Sequence, residues 1–373
     1  MKIALVAPYF HPVEGGRERT VLFLAKGLAE KGHNVKVFTS DRAPNGKKVK
    51  VESENWNFSV RRIKSAYLAF RLEIPLERHI IKELAEFDVV HIISTDSTFT
   101  FCFLILAKII KKHVIATVFT PLALLKHPKK ILRPFLSFFE FISLVSMFLA
   151  DYVQVKNEID LKIVKKFAKR VELISDGIQD YYFMIEPSID FKEKYKLKNQ
   201  RIVLFVNRIH PLKGPQVLIK AMPEVLKAYP NAIAVLIGPD PTGYAKELKE
   251  IARNLNIINK ILFIGFICED EKIAAYDAAD VVVIPSIGEF TEGFSIVLSE
   301  AWARGKTVVV TPSRALRSRV KPGTGYIADY NPSSFSKAII KALETPTKPP
   351  KVYSWSKVVD KIERLYFKIY KRD

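Results

Sequence analysis

Short apolar runs of strand length alternate with stretches of helical period along this chain, and the alternation runs through two full cycles. The first opens with KIALVA (2–7), passes through the loop YFHPVEGG, and enters RERTVLFLAKGLAEKG (17–32). There Val21, Leu24, Ala25 and Leu28 keep helical spacing until Gly32 stops the helix. NVKVFTS returns as a strand, and FDVVHIIS (87–94) and HVIATVFT (113–120) repeat the pattern. The second cycle begins at RIVLFV (201–206) and continues through AIAVLIG (232–238), KILFIG (260–265) and DVVVIPS (280–286), with helical stretches between. Apolar strands separated by helices require a parallel sheet covered on both faces.

Two cycles predict an α/β protein of two Rossmann-like, doubly wound domains facing a cleft, and 373 residues, 49% of them hydrophobic, suffice for two cores. Segment 180–200 is polar, lacks a strand period and reads as the linker. The expected domains are 1–182 and 199–348, followed by a helical segment at 349–373. Ligands of open α/β sheets bind outside the carboxyl ends of the strands, so the loops that follow strands carry the search.

After DVVVIPS comes IGEFTEG, then a helix expected over 294–304 and stopped by Gly305. Glu292 precedes that helix and Glu300 lies inside it, so the two cannot form an i,i+4 surface pair and must meet different partners. The N–H groups of Gly293, Phe294, Ser295 and Ile296 at the helix start, with the helix dipole, would form an anion site. Two such glutamates also describe a dipole cap and a solvated helix residue. Against that stands the apolar setting of Glu300, IVLSEAWA, where an unpaired carboxylate is costly.

The loop NRIHPLKG (207–214) places Arg208 and Lys213 between a strand and a helix start, where they either clamp a diphosphate or face water. Gly15 and Gly16 lie between the first strand and helix, a plain turn or a place of close approach to a phosphate or sugar. The pair is not a G-x-G-x-x-G fingerprint, which argues against a nicotinamide enzyme using Asp41 for a ribose.

Lys and Arg number 59 against 39 Asp and Glu, and the excess is spread over both halves, which points to anionic partners in general. A nucleic-acid-binding protein is the reading charge alone suggests, but no helix-turn-helix, zinc or aromatic RNA-binding motif accompanies it, so no nucleic acid is expected. Two distant cysteines, Cys102 and Cys268, exclude a disulfide framework. The apolar run before Pro8 is too short for a signal peptide, so a cytoplasmic location is expected.

These motifs together resemble glycosyltransferase family 4, a group of retaining, nucleotide-sugar-dependent enzymes of the GT-B fold. The resemblance covers nearly the whole chain, from GGRERTVLFLAKGLAEKGHNVKVFTS through VNRIHPLKGPQVLIKAM to YSWSKVVDKIERLYFKIY, and DVVVIPSIGEFTEGFSIVLSEAWARGKTVVV is its most specific part. It implies a hexosyltransferase acting on a glycan or lipid-linked acceptor. Arg208 and Lys213 would stabilise the departing diphosphate, Glu292 would lie beside the transferred sugar, and Gly293 to Ser295 would offer amides. Glu300 would accept from the ribose hydroxyls, and Gly16 would let the first domain close on the diphosphate. The final helix would cross back to the first domain. No metal or other cofactor is expected, and no D-x-D triplet occurs.

Three positions depart from the family pattern. Phe119 stands where a sugar-contacting histidine is common, with Thr120 adjacent; Lys156 replaces a serine; Asp176 replaces an asparagine. These departures leave open a second reading, an impaired homologue or partner subunit that binds sugar nucleotides without turnover.

Between Ser97 and Phe139 there is no acidic residue, yet Lys108, Lys111, Lys112, Lys126, Lys129, Lys130 and Arg133 occur, and ILRPFLSFFEFISLVSMFLA (131–150) follows. Basic charge beside aromatics suits attachment of 108–150 to an anionic membrane surface, on the inner face of the cell membrane, or a helix buried in the first domain.

Overall fold

The computed structural model describes residues 1–13, 15–51, 55–69, 71–126 and 130–371; Lys129 of the basic cluster lies outside them. The chain divides into two units, Met1–Gly177 with Trp355–Asp373, and Ile178–Ser354.

In the first unit the strands are β1 (Lys2–Val6), β2 (Asn34–Ser40), β3 (Ser59–Ile63), the hairpin strands β4 (Ser65–Ala69) and β5 (Leu72–Pro75), β6 (Val89–Ile93), β7 (His113–Thr117), β8 (Tyr152–Val155) and β9 (Val171–Leu173). Seven form one parallel sheet in the order β3-β2-β1-β6-β7-β8-β9. The order runs backward from β3 to β1 and forward from β6, so the switch of direction lies between β1 and β6. Both faces are covered, which is why KIALV is buried from Ile3 onward. The closing helix Trp355–Tyr370 packs on helix Gly16–Glu30, where Trp355 stacks on Phe23 and Lys31 bonds Glu363 at 2.7 Å.

The second unit has β10 (Arg201–Val206), β11 (Ala232–Ile237), β12 (Ile261–Gly265), β13 (Val281–Ile284), β14 (Val308–Val310) and β15 (Tyr326–Ile327). They form a six-stranded parallel sheet, β12-β11-β10-β13-β14-β15, whose switch lies between β10 and β13. Segment 180–200 is not a free linker. It carries the short helices Tyr181–Met184 and Phe191–Lys194, and its Tyr182, Phe191 and Leu197 are buried in this unit's core. Helices of four residues are too short to show a period, so the polar average hid three core side chains.

Candidate active site

At a sheet's switch point the loops leaving adjacent strands diverge and open a crevice. In the second unit those are the loops after β10 and β13. After β10 the chain passes Arg208, makes a tight turn at Pro211–Lys213 and enters helix Pro215–Ala228 through Gly214. Gly214 has φ +74°, and a Cβ there would lie 1.8 Å from the Pro285 carbonyl oxygen. The absent side chain lets this turn lie against the strand end of β13, where the Ile287 N–H donates to the Leu212 carbonyl at 2.8 Å.

That approach brings Lys213 to Glu292. Its Nζ donates to Glu292 Oε1 at 2.7 Å, and Ser286 Oγ donates to the same oxygen at 2.6 Å. The carboxylate is 6% exposed, and its Oε2 has no hydrogen-bond partner among the described residues. Arg208 is exposed, and its guanidinium likewise has no partner among them. A buried, singly occupied carboxylate and an unpaired cation thus stand on adjacent strand ends.

The helix beyond Glu292 spans Ile296–Ala303, starting two residues later and ending one residue earlier than 294–304 predicts. Ser295 has φ +65°, ψ 91°, outside the right-handed helical region, so the helix cannot include it. The N–H groups of Gly293, Phe294, Ser295 and Ile296 donate to no group among the described residues, and the buried Ser295 Oγ has no partner. Four open amides at the positive end of a helix, beside an unsatisfied hydroxyl, form a site for an anion.

Glu300 is 2% exposed and meets a separate set of groups. Tyr276 Oη donates to its Oε2 at 2.7 Å, and Lys272 Nζ lies 3.4 Å from Oε1. Lys272 also bonds Glu269 at 2.9 Å, and Tyr181 and Tyr182 donate to that carboxylate. Burial, then the neighbouring Glu300 charge, pushes the Tyr276 hydroxyl well above its usual range, so it stays a donor. Burial would raise Glu269, but Lys272 and the tyrosine hydroxyls outweigh it and hold that carboxyl low. An open hollow of about 600 Å³ is lined by His210 and Pro211 of the turn before Lys213 and by Thr242, Tyr244, Glu247 and Glu250 among others.

In the first unit, Gly15 and Gly16 follow β1 at the other switch point. Gly15 is extended, φ −174°, and a Cβ there would meet only the mobile end of Glu18; nothing lies within 4 Å of a Cβ on Gly16. Neither glycine is demanded by packing inside the unit, which leaves Gly16 open to close approach. A cavity of about 170 Å³ adjoins, lined by Tyr9, Arg17, Glu18, Arg71 and Asp96 among others. Burial would raise the Asp96 carboxyl, but Arg17, at 2.9 Å, and Arg71 hold it well below the usual range.

A model described as Glycosyltransferase Family 4 matches residues 14–178, and one described as Glycosyl transferases group 1 matches 188–357. The chain belongs to glycosyltransferase family 4. An uncharacterized glycosyltransferase of Methanocaldococcus jannaschii is 34% identical over 182 residues, 47% of this chain and 45% of that protein. The chain thus spans less than half the length of the curated relatives it matches. Among solved structures, sucrose-phosphate synthase of Thermosynechococcus elongatus shares the fold over all of both chains, with TM-score 0.76 at 20% identity. HepE of Anabaena, solved with UDP, does so with TM-score 0.72 at 18% identity over 100% of this chain and 98% of its own. The fold is therefore GT-B.

The three departures from the family 4 pattern prove to be one cluster. Lys156 Nζ lies 3.8 Å from the centre of the Phe119 ring, and the Arg17 guanidinium lies 5.1 Å from it. The same ammonium bonds both Asp176 oxygens, at 2.6 and 2.7 Å, and Thr20 at 3.2 Å. Thr120, next to Phe119, sits at φ +46°. Lys156 and Asp176 follow β8 and β9, which sequence alone could not place beside β7. Sequence reasoning missed Ser286, Lys272, Tyr276 and Gly214. Lys272 and Tyr276 share a helix face at i,i+4 spacing, but nothing local ties that face to Glu300. It also passed over RALRSR (314–319), although the position after the VVV strand marked it for inspection.

Proposed function

We propose that this chain transfers a hexose, with retention of configuration and without a metal, from a nucleoside-diphosphate sugar to a glycan or lipid-linked acceptor. One observation carries the reading: unpaired Arg208, the Lys213–Glu292 pair and four open amides flank the switch point of the second sheet. In this reading Arg208 and the amides receive the diphosphate. Lys213 neutralises the charge that grows on it as the bond from the anomeric carbon to phosphate breaks. The acceptor oxygen bonds to that carbon, and its proton passes to the departing phosphate. Glu292 keeps Oε2 for the sugar, and Glu300, oriented by Tyr276, takes the ribose hydroxyls. HepE, of the same fold, has been solved with UDP and with UDP-glucose, which makes a uridine donor the first to try.

The test is thermal unfolding with UDP-, GDP-, TDP- and ADP-sugars. At a hundred times its dissociation constant the true donor should stabilise the protein by about 2.7 kcal/mol, and Glu300→Ala should abolish the shift. No stabilisation by any of them overturns the reading, while stabilisation without nucleotide release favours the impaired homologue.

We further propose a cytoplasmic protein that lies on anionic membranes. Helix Arg133–Leu149 buries Leu136, Phe139, Ile142 and Met147, while Phe138, Phe141 and Phe148 are 48%, 63% and 57% exposed along its other face. The Lys130–Leu149 stretch is long and apolar enough to cross a bilayer, but its buried inner face suits a surface position better. Exposed Lys111 and Lys130 supply complementary charge. Co-sedimentation with phosphatidylglycerol vesicles at low salt should fall about ten-fold or more in Phe138→Ser/Phe141→Ser. Equal retention by neutral vesicles, or none at all, sinks the idea.

A further inference from the structure

The open amides at the start of helix Ile296–Ala303 owe their direction to a residue outside the loop. Helix Arg314–Arg319, after β14, braces segment 288–296 along its length. The Arg314 N–H donates to the Glu289 carbonyl at 2.8 Å, and Arg317 bonds the Glu289 side chain at 3.2 Å. Arg319 reaches furthest. Its Nη1 donates to the carbonyls of Phe294, at 2.7 Å, and Ser295, at 3.0 Å, its Nη2 donates to Ser299 Oγ at 2.7 Å, and its Cζ lies over the Phe294 ring, 3.9 Å from the centre.

In a trans peptide the C=O and the following N–H point in opposite directions. Fixing the Phe294 carbonyl toward Arg319 therefore aims the Ser295 N–H away from it, and fixing the Ser295 carbonyl does the same for Ile296. A guanidinium presents a planar fork of donors that can reach two carbonyls and a hydroxyl at once, whereas an ammonium, a point charge on a shorter and flexible stem, cannot. The left-handed backbone of Ser295 persists because its surroundings hold it there.

We propose that Arg319 is the positioning residue of the diphosphate site: by clamping the Phe294 and Ser295 carbonyls it turns the Ser295 and Ile296 amides toward the phosphates. The inference rests on the donor site proposed above. Calorimetric titration of wild type, Arg319→Lys and Arg319→Gln with UDP and with inorganic pyrophosphate tests it. Both variants should lose on the order of ten-fold in affinity for each probe, with Lys no better than Gln because geometry, and not charge, is lost. Recovery in Arg319→Lys, or unchanged affinity in a folded variant, overturns the positioning role while leaving the donor site standing. If neither variant folds, Ser299→Ala, which removes only the Nη2 contact, should still weaken pyrophosphate by about three-fold, and no change there overturns the role. A wild type that binds neither UDP nor pyrophosphate, nor any donor nucleotide, overturns both proposals.

Discussion

Lys213→Met is expected to lower kcat/KM for sugar transfer by about 10²–10³-fold, the largest functional effect we foresee for a single substitution. The ammonium sits 2.7 Å from Glu292 in a pocket where both side chains are largely buried, so its charge is poorly screened. Charge on the diphosphate grows as the sugar leaves, so the loss should fall more on kcat than on the donor KM. Arg208→Met should fall more on KM, because Arg208 meets the diphosphate already in the ground state. Steady-state measurement of nucleotide release in both variants checks the division. If Lys213 were only a structural partner of Glu292, Lys213→Met would cost nothing further in the Glu292→Gln background, and that result would sink its chemical role.

The largest stability effect is expected for Asp176→Asn, a loss of about 3–5 kcal/mol. Lys156 and Asp176 side chains are 2% and 6% exposed, and the substitution strands a buried ammonium beside the Phe119 ring. Lys156→Met/Asp176→Leu should be nearly neutral, since an apolar pair leaves no charge to desolvate. Burial lowers the Lys156 pKa from its ordinary 10.5 and Asp176 partly restores it. Without Asp176 the folded-state value drops further. Between that value and 10.5 the unfolded chain binds more protons than the folded one, so stability rises with pH and the deficit of Asp176→Asn should shrink on the alkaline side. Urea unfolding at pH 7 and pH 10 reads both effects; a deficit that stays constant would show that Lys156 keeps its proton in the folded variant and that Asp176 does not hold it charged.

The periodic content of the chain was legible without coordinates. Apolar runs at KIALVA, RIVLFV and DVVVIPS mark buried strands because each residue's burial on a two-sided sheet leaves its trace at that residue. The rule that ligands meet strand carboxyl ends then pointed to Arg208, Lys213, Glu292 and Glu300. Other elements were less legible: strand β3, SVRRI, has no apolar run, and the helices around Tyr182 and Phe191 are too brief to show a period, so segment 180–200 reads as a linker.

What the tertiary structure alone decided is which strand ends are neighbours and which side chains meet there. Lys213 and Glu292, 79 positions apart, touch because β10 lies beside β13 and Gly214 lets the turn close against Pro285. Phe119, Lys156 and Asp176 looked like three separate departures from a family pattern, yet they are one buried contact set at consecutive strand ends. Arg319 and Ser295 show the same limit, for a side chain's hydrogen-bond partner and a residue's φ are set by packing between segments distant in sequence. Local sequence encodes burial and period, whereas pairing is a long-range property that exists only once the sheet order has been chosen.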